Sequence, residues 1–304
     1  WGTGNAWYLM SQNAGGTDLT LAPEWQYGEL SPTVIGGRRW FLQAYPVADE
    51  TYPNGQARYD VVALSSDGTT EVVLNSDPLL QPVYLGEVTD YDYFFFSPRW
   101  VGGTHVSWVA RRLDSTGAIV EMGIYTAALI FDENGALVGA GATDLLPLPL
   151  ATSVTNQVFG PRPLLRGYDW APDGSALVYA TGNQLVWADP SGATVTLKTS
   201  GTLEYTTEYT APRWSPAGDI IVVVSFAGID KISPDGSNPV VLAAAGRDTM
   251  FAGPRFSPSG ATVIYDSLNR SKNIRDIYRV PAAGGKSVNM TASTSAPVMI
   301  PIWE

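Results

Sequence analysis

The amino-acid sequence predicts an all-β chain organised as a propeller. Three observations carry this. A Pro-containing motif recurs along the chain, its later copies lie one four-stranded blade apart, and each interval divides into β-branched apolar runs separated by Gly-containing turns. No segment longer than ten residues shows helical periodicity.

The motif is plainest in Ala211-Pro-Arg-Trp-Ser-Pro-Ala-Gly218 and Ala252-Gly-Pro-Arg-Phe-Ser-Pro-Ser-Gly260. A third copy is Gly167-Tyr-Asp-Trp-Ala-Pro-Asp-Gly174, and weaker copies are Phe94-Phe-Phe-Ser-Pro98 and Gly28-Glu-Leu-Ser-Pro32. The anchor prolines Pro32, Pro98, Pro172, Pro216 and Pro258 are spaced by 66, 74, 44 and 42 residues. From Phe256 to the equivalent Trp303 in the terminal Ile300-Pro-Ile-Trp303 is 47 residues. Intervals of this length match one blade, and the two long ones imply insertions.

Within a repeat the strands follow in order. Asp219-Ile-Ile-Val-Val-Val-Ser225 reads as a strand buried on both faces, Gly228 to Ser233 alternates, Pro234-Asp-Gly236 turns, and Pro239 to Ala243 closes the unit. The next unit repeats the plan with 261–266, 276–280, Ala283-Gly-Gly285 and 287–291. Earlier turns at Gly15-Gly16, Ser66-Asp-Gly68, Glu133-Asn-Gly135 and Ser191-Gly192 supply the positive φ that tight hairpins need.

This pattern resembles the TolB-like repeat, a Pro-x-Trp-Ser-Pro-Asp-Gly motif followed by a β-run and an Asp-Ile-Tyr strand. The resemblance covers nearly the whole chain and is most specific in the fourth and fifth repeats. It implies a six-bladed β-propeller. The expected arrangement is a single domain over residues 1–304, its sixth blade closed by N-terminal strands near 5–10 and 18–21 and a C-terminal strand at 298–303. Closure removes sheet edges. Trp170, Trp214 and Phe256 are expected to be buried between blades.

Insertions are expected near 43–58, 77–93 and 143–168. They carry Tyr84, Glu87, Asp90, Tyr91, Asp92 and Tyr93, and the run Leu145-Leu-Pro-Leu-Pro-Leu150. Long loops of this kind often carry function. The other reading is that they cover blade edges and bury their own Leu and Tyr. On the docking reading, Tyr84, Glu87, Asp90, Tyr91, Asp92, Tyr93, Leu145, Leu146, Leu148 and Leu150 form the partner-binding surface.

Composition narrows the chemistry. With 18 Lys+Arg against 29 Asp+Glu the formal net charge is −11, which disfavours a nucleic-acid partner. No Cys and one His exclude Cys/His zinc sites, iron–sulfur clusters, thiol catalysis and disulfides. The longest apolar run, about 220–229, is half of what a bilayer span needs, so no transmembrane segment is expected. The chain begins at Trp1, as expected of a product trimmed of a secretion signal.

Catalytic arrangements are not apparent. No Gly-x-Ser-x-Gly elbow occurs, and His105 lies in the strand-like Thr104-His-Val-Ser-Trp108, where a structural role is the simpler reading. Propellers of this family attached to serine peptidases rely on a separate hydrolase domain. The acidic groups Asp132-Glu-Asn-Gly135 and Asp90-Tyr-Asp92 are the nearest calcium candidates, but neither has the spacing of a twelve-residue calcium loop. No cofactor or metal is expected. Asn269 and Asn289 head Asn-x-Ser/Thr triplets of the kind that arise by chance.

The residue before each motif aromatic should face away from it, towards the central channel. Around the ring that slot holds Glu29, Phe95, Asp169, Arg213, Arg255 and Ile302. One reading is a salt-bridged plug. The other is a polar pocket in which Arg213 and Arg255 clamp a carboxylate of a small ligand or of a partner's terminal segment.

Three function classes follow. The first is a non-catalytic, extracytoplasmic protein-binding scaffold, as the resemblance implies. The second is a carbohydrate-binding or carbohydrate-cleaving propeller, for which ten Trp and fifteen Tyr would supply stacking platforms; the related lyases use a metal held by several His, which this chain lacks. The third is a calcium-dependent hydrolase or lactonase, which needs acidic residues on the axis.

Overall fold

A computed structural model describes residues 10–12, 19–21, 33–65, 68–75, 77–83, 98–150, 152–153, 162–163, 165–181, 183–199, 209–272 and 274–291. Every regular element among them is a strand, and none of them forms a helix long and apolar enough to cross a membrane. The chain divides into two compact units, residues 1–163 with residue 304, and residues 164–303.

In the first unit, β1 (Met10–Gln12) pairs antiparallel with β2 (Leu19–Leu21). A four-stranded sheet follows in chain order: β3 (Thr33–Ile35), β4 (Arg38–Thr51), β5 (Ala57–Ser65) and β6 (Glu71–Val73). The next sheet is built from β7 (Leu80–Pro82), β8 (Arg99–Val101), β9 (His105–Leu113), β10 (Ile119–Phe131) and β11 (Leu137–Leu145). Here the innermost strand is split. Leu80 to Pro82 pairs with Ala110 to Arg112, and Arg99 to Val101 pairs with His105 to Ser107. The segment expected as an insertion at 77–93 thus contributes β7 to this sheet, with Leu80 and Gln81 buried. A short pair, β12 (Thr152–Ser153) and β13 (Arg162–Pro163), completes the unit.

The second unit holds three sheets of four sequential antiparallel strands. They are β14 (Tyr168–Trp170), β15 (Leu177–Ala180), β16 (Gln184–Ala188) and β17 (Thr194–Thr199); then β18 (Thr210–Trp214), β19 (Ile221–Ser225), β20 (Gly228–Ile232) and β21 (Val240–Ala244); then β22 (Thr249–Phe256), β23 (Thr262–Asn269), β24 (Ile274–Pro281) and β25 (Val288–Asn289). Five blade-sized sheets are thus present among the described residues, where six were expected. Of the strands expected to form a sixth, Met10 begins β1 and 19–21 form β2, while 5–9 and 298–303 lie outside the described residues.

The unbroken apolar run of β19 has a plain cause. Ile221 and Val223 pack with Val178 and Ala180 of the preceding sheet, while Val222 packs with Val263 and Tyr265 of the following one. A strand buried on both faces has no polar side to show. Trp170 and Trp214 are buried as expected, whereas Phe256 is half-buried against the last core cluster.

The motif residues explain themselves in the same way. Ser215 and Ser257 are buried, and each hydroxyl accepts the backbone N–H five residues on, from Ile220 at 3.1 Å and Thr262 at 3.2 Å. The turn glycines Gly218 and Gly260 have φ of 73° and 72°. A Cβ on Gly218 would lie 3.5 Å from Pro172 Cδ, and one on Gly260 would lie 3.6 Å from Pro216 Cδ. Each turn thus rests on the motif proline of the sheet before it, which couples the two halves of the motif across neighbouring blades.

Candidate functional site

The innermost strands β14, β18 and β22 lie side by side in the second unit. They bring three of the predicted channel residues, Asp169, Arg213 and Arg255, to equivalent positions. Asp169 is half-buried, and its Oδ2 accepts the backbone N–H of Trp214 at 2.9 Å. The carboxylate therefore reaches the next blade's strand. Arg213 is buried and donates through Nη1 to its own preceding carbonyl, Pro212 O, at 2.6 Å. Arg255 does the same to Pro254 O at 2.9 Å. Desolvation lowers the Arg255 guanidinium to about 9, so it stays a cation at neutral pH.

Glu29, Phe95 and Ile302 lie outside the described residues. The pairing of β8 adds a residue that the sequence reading missed, Arg99. Arg99 stands opposite Ser107 and precedes Trp100, as Arg213 precedes Trp214. Arg99 is buried, and its Nη1 donates to Pro98 O at 3.0 Å. The same Pro-Arg-aromatic triplet thus occurs at 98–100, 212–214 and 254–256. That signal was present in the sequence; anchoring the second repeat on Ser97-Pro98 hid it, because it placed the aromatic ahead of the proline.

Among the partner-surface candidates, Tyr84, Glu87, Asp90, Tyr91, Asp92 and Tyr93 lie outside the described residues. Leu145 ends β11 and is half-buried, with its Cδ1 in the space a Cβ on Gly123 would need. Leu146 is 8 % exposed and donates its N–H to Ile124 O at 2.9 Å. Leu148 and Leu150 are half-buried, and the N–H groups of both bond carbonyls two residues back. Of this run, Leu145 packs against the core of its unit and Leu146 is buried, while Leu148 and Leu150 are half-buried.

The inserted hairpin near 43–58 likewise packs down. Tyr52, at the tip between β4 and β5, is 2 % exposed, and its hydroxyl donates to Tyr59 O at 3.2 Å. Gln81 Oε1 accepts from Asn54 Nδ2 at 3.1 Å and from Arg111 Nε at 2.6 Å, and Gln81 Nε2 donates to Gln56 Oε1 at 3.0 Å. Arg111 Nη2 also donates to Gln56. Burial raises the Tyr52 hydroxyl and lowers Arg111. Nothing local in the sequence signals this cluster, since its bonded members Gln56 and Arg111 lie 55 positions apart.

His105 opens β9 and is exposed, with Thr104 Oγ1 2.9 Å from its Nδ1. Asp132 accepts the backbone N–H groups of Asn134 and Ala136, which is ordinary turn chemistry. Among the described residues no three His, Cys, Asp or Glu side chains group together as a metal site.

No family model matches the chain, and no curated protein matches it. Solved structures do. A protein provisionally named TolB from Agrobacterium tumefaciens aligns with a TM-score of 0.54 at 14 % identity, over 91 % of this chain and 86 % of that one. An oligogalacturonate lyase from Vibrio parahaemolyticus gives 0.47 at 10 %, over 86 % and 72 %. A puromycin-hydrolysing peptidase of Mycobacterium tuberculosis gives 0.46 at 16 %, over 86 % of this chain and 38 % of that one. At such identities only the fold is shared. The chain is an all-β propeller similar in fold to the Agrobacterium protein.

Proposed function

We propose that this chain is a non-catalytic, extracytoplasmic protein-binding propeller. On this reading it takes an acidic or carboxylate-terminated segment of its partner at the innermost strands. One observation supports it: Arg213 and Arg255 occupy the same slot on adjacent strands, each with its guanidinium folded onto the preceding prolyl carbonyl. Two guanidiniums at equivalent positions on adjacent strands suit a carboxylate, which accepts charge-assisted hydrogen bonds from more than one N–H group. Asp169, at the equivalent position of the preceding strand, accepts the Trp214 amide N–H. The resemblance of the repeat to the TolB-like family implies a binding role and a periplasmic, cell-surface or secreted location. The 47-residue step from Phe256 to Trp303 supports a sixth blade closed by the two chain ends.

The test is affinity capture from an envelope extract of the native source, with the wild-type chain, Arg213→Gln/Arg255→Gln and Arg255→Lys. The expected result is a partner retained by wild type and by the lysine variant, eluted by raised salt, and lost by the double variant at an unchanged melting temperature. Retention of the same partner by the double variant would overturn the axial assignment.

A further inference from the structure

The last sheet is longer than its neighbour at one end. β23 and β24 each run for eight residues, against five for β19 and β20. The extra length builds an open-ended cavity of about 220 Å³ lined by Thr249, Ser267, Asn269, Lys272, Asp276 and Tyr278, with Ile274 at its edge.

The strand register explains this set. Ser267 stands opposite Asp276, Asn269 opposite Ile274, and Tyr265 opposite Tyr278. Directly opposed residues share a face, and so do residues two apart, so these six side chains form three rows on one surface. Thr249 extends the outermost row, since it pairs with Asn269. The innermost row is aromatic: Tyr278 stacks on buried Tyr265 with ring centroids 5.8 Å apart, and Phe251 meets Tyr265 edge-on at 4.9 Å.

The polar groups are arranged for a ligand of particular chemistry. Asp276 is held by two neutral donors, Thr291 Oγ1 to Oδ1 and Asn289 Nδ2 to Oδ2, both at 3.0 Å. Each oxygen keeps acceptor capacity beyond the bond it already has. Asn289 Nδ2 also donates to Tyr278 OH at 3.2 Å, leaving the phenolic proton available. Among the described residues, the Ser267 and Thr249 hydroxyls and the Lys272 ammonium make no hydrogen bond or ion pair with the protein.

A fixed carboxylate accepting from two adjacent hydroxyls, surrounded by side chains that both donate and accept, suits a vicinal diol. The single carboxylate disfavours an anion, and the single ammonium at the mouth disfavours a cation. The volume is below the roughly 300–1,000 Å³ of pockets for drug-sized ligands, which limits the occupant to one ring. Tyr278 and Ile274 supply apolar surface for the C–H face of such a ring.

We infer that this cavity binds a neutral polyhydroxylated ring, a single sugar residue or a cyclitol, with Asp276 as the principal acceptor and Ser267 as a second contact. This site is separate from the arginines of the inner strands, so the two readings stand or fall independently.

Ligand-observed saturation-transfer NMR on the full chain tests it, with D-galactose, myo-inositol and L-alanine as probes. At least one of the two polyols is expected to bind. Its Kd should rise at least tenfold in Asp276→Asn and at least threefold in Ser267→Ala. Ser267→Ala removes no hydrogen bond of the described structure and keeps the test decisive if Asp276→Asn perturbs folding. Binding of neither polyol, binding unchanged in Ser267→Ala, or preference for L-alanine would each overturn the assignment.

Discussion

The Asp169 carboxylate accepts the backbone N–H of Trp214 at 2.9 Å, so a side chain on the first strand of one blade completes the hydrogen bonding of the first strand of the next. Removing the acceptor of a buried residue's amide leaves that N–H unsatisfied, which costs about 1–3 kcal/mol. Asp169→Ala should lose stability of that order in urea unfolding. Asp169→Asn, which keeps an acceptor oxygen, should lose less. Equal losses would show that charge, and not the acceptor, is what matters.

Trp214 packs in the same core cluster as Val178 and Ile221, 8 % exposed. Trp214→Ala should cost roughly 3–5 kcal/mol, as large aromatic deletions in cores do. A chemical-denaturation midpoint close to wild type would show that this aromatic contributes little to the joint between the sheets.

Two hairpin tips of the first unit meet at Gly117. Its φ is +85°, and a Cβ there would lie 2.8 Å from Asn54 N and 2.9 Å from Pro53 C. Backbone on the far side cannot yield as a flexible side chain does. Gly117→Ala should therefore cost roughly 2–4 kcal/mol, from left-handed strain and overpacking together. Gly55→Ala, at φ +78° with nothing within 4 Å, should cost only the strain, about 1–2 kcal/mol. Amide exchange at Tyr52 and Gly55, whose N–H groups close the β4–β5 tip on Gln56 O and Tyr52 O, should accelerate in Gly117→Ala. Equal costs for the two variants would refute the contact.

Asp230, on β20, is buried, and its Oδ1 has no hydrogen-bond partner among the described residues. Burial raises its carboxyl above the ordinary value, opposed by the Ser225 hydroxyl and by the charge of Lys198. A raised folded-state value means that its stabilising contribution is present below the unfolded value and is lost as pH rises through the folded one. Asp230→Asn should therefore raise the melting temperature at pH 7, and the gain should shrink on acidification towards the usual carboxylate range. A gain that is constant with pH would show that the titration of Asp230 is not its source.

The exposed turn aspartates act in the opposite sense. Asp114 and Asp189 are held below the usual carboxylate range by the hydroxyls of Thr116 and Ser191 and by backbone N–H groups. Their contribution is present above the unfolded value and lost on acidification. The double variant Asp114→Ala/Asp189→Ala should flatten the pH dependence of the melting temperature below the usual carboxylate range, while Asp230→Asn flattens it above that range.

What the sequence determined by itself is local and periodic. The repeat length, the β-branched run at 220–224 and the turn glycines at 68, 135, 192, 218, 236 and 260 follow from side-chain alternation and the φ demands of hairpins, which act within a few residues. Tertiary structure decided what depends on partners distant in the chain. Leu80–Pro82 and Arg99–Val101 share one partner strand although sixteen positions separate them, and that pairing puts Arg99 opposite Ser107 on an inner strand. The run 145–150 left burial and exposure open in the sequence, and the pairing of Leu145 with Tyr125 decides it at that end, because a run's burial depends on the strand it pairs with and not on its composition. The cavity between β23 and β24 was unreadable for the same reason: Ser267 and Asp276 become neighbours only through register, and a shift of one residue would turn both to the opposite face.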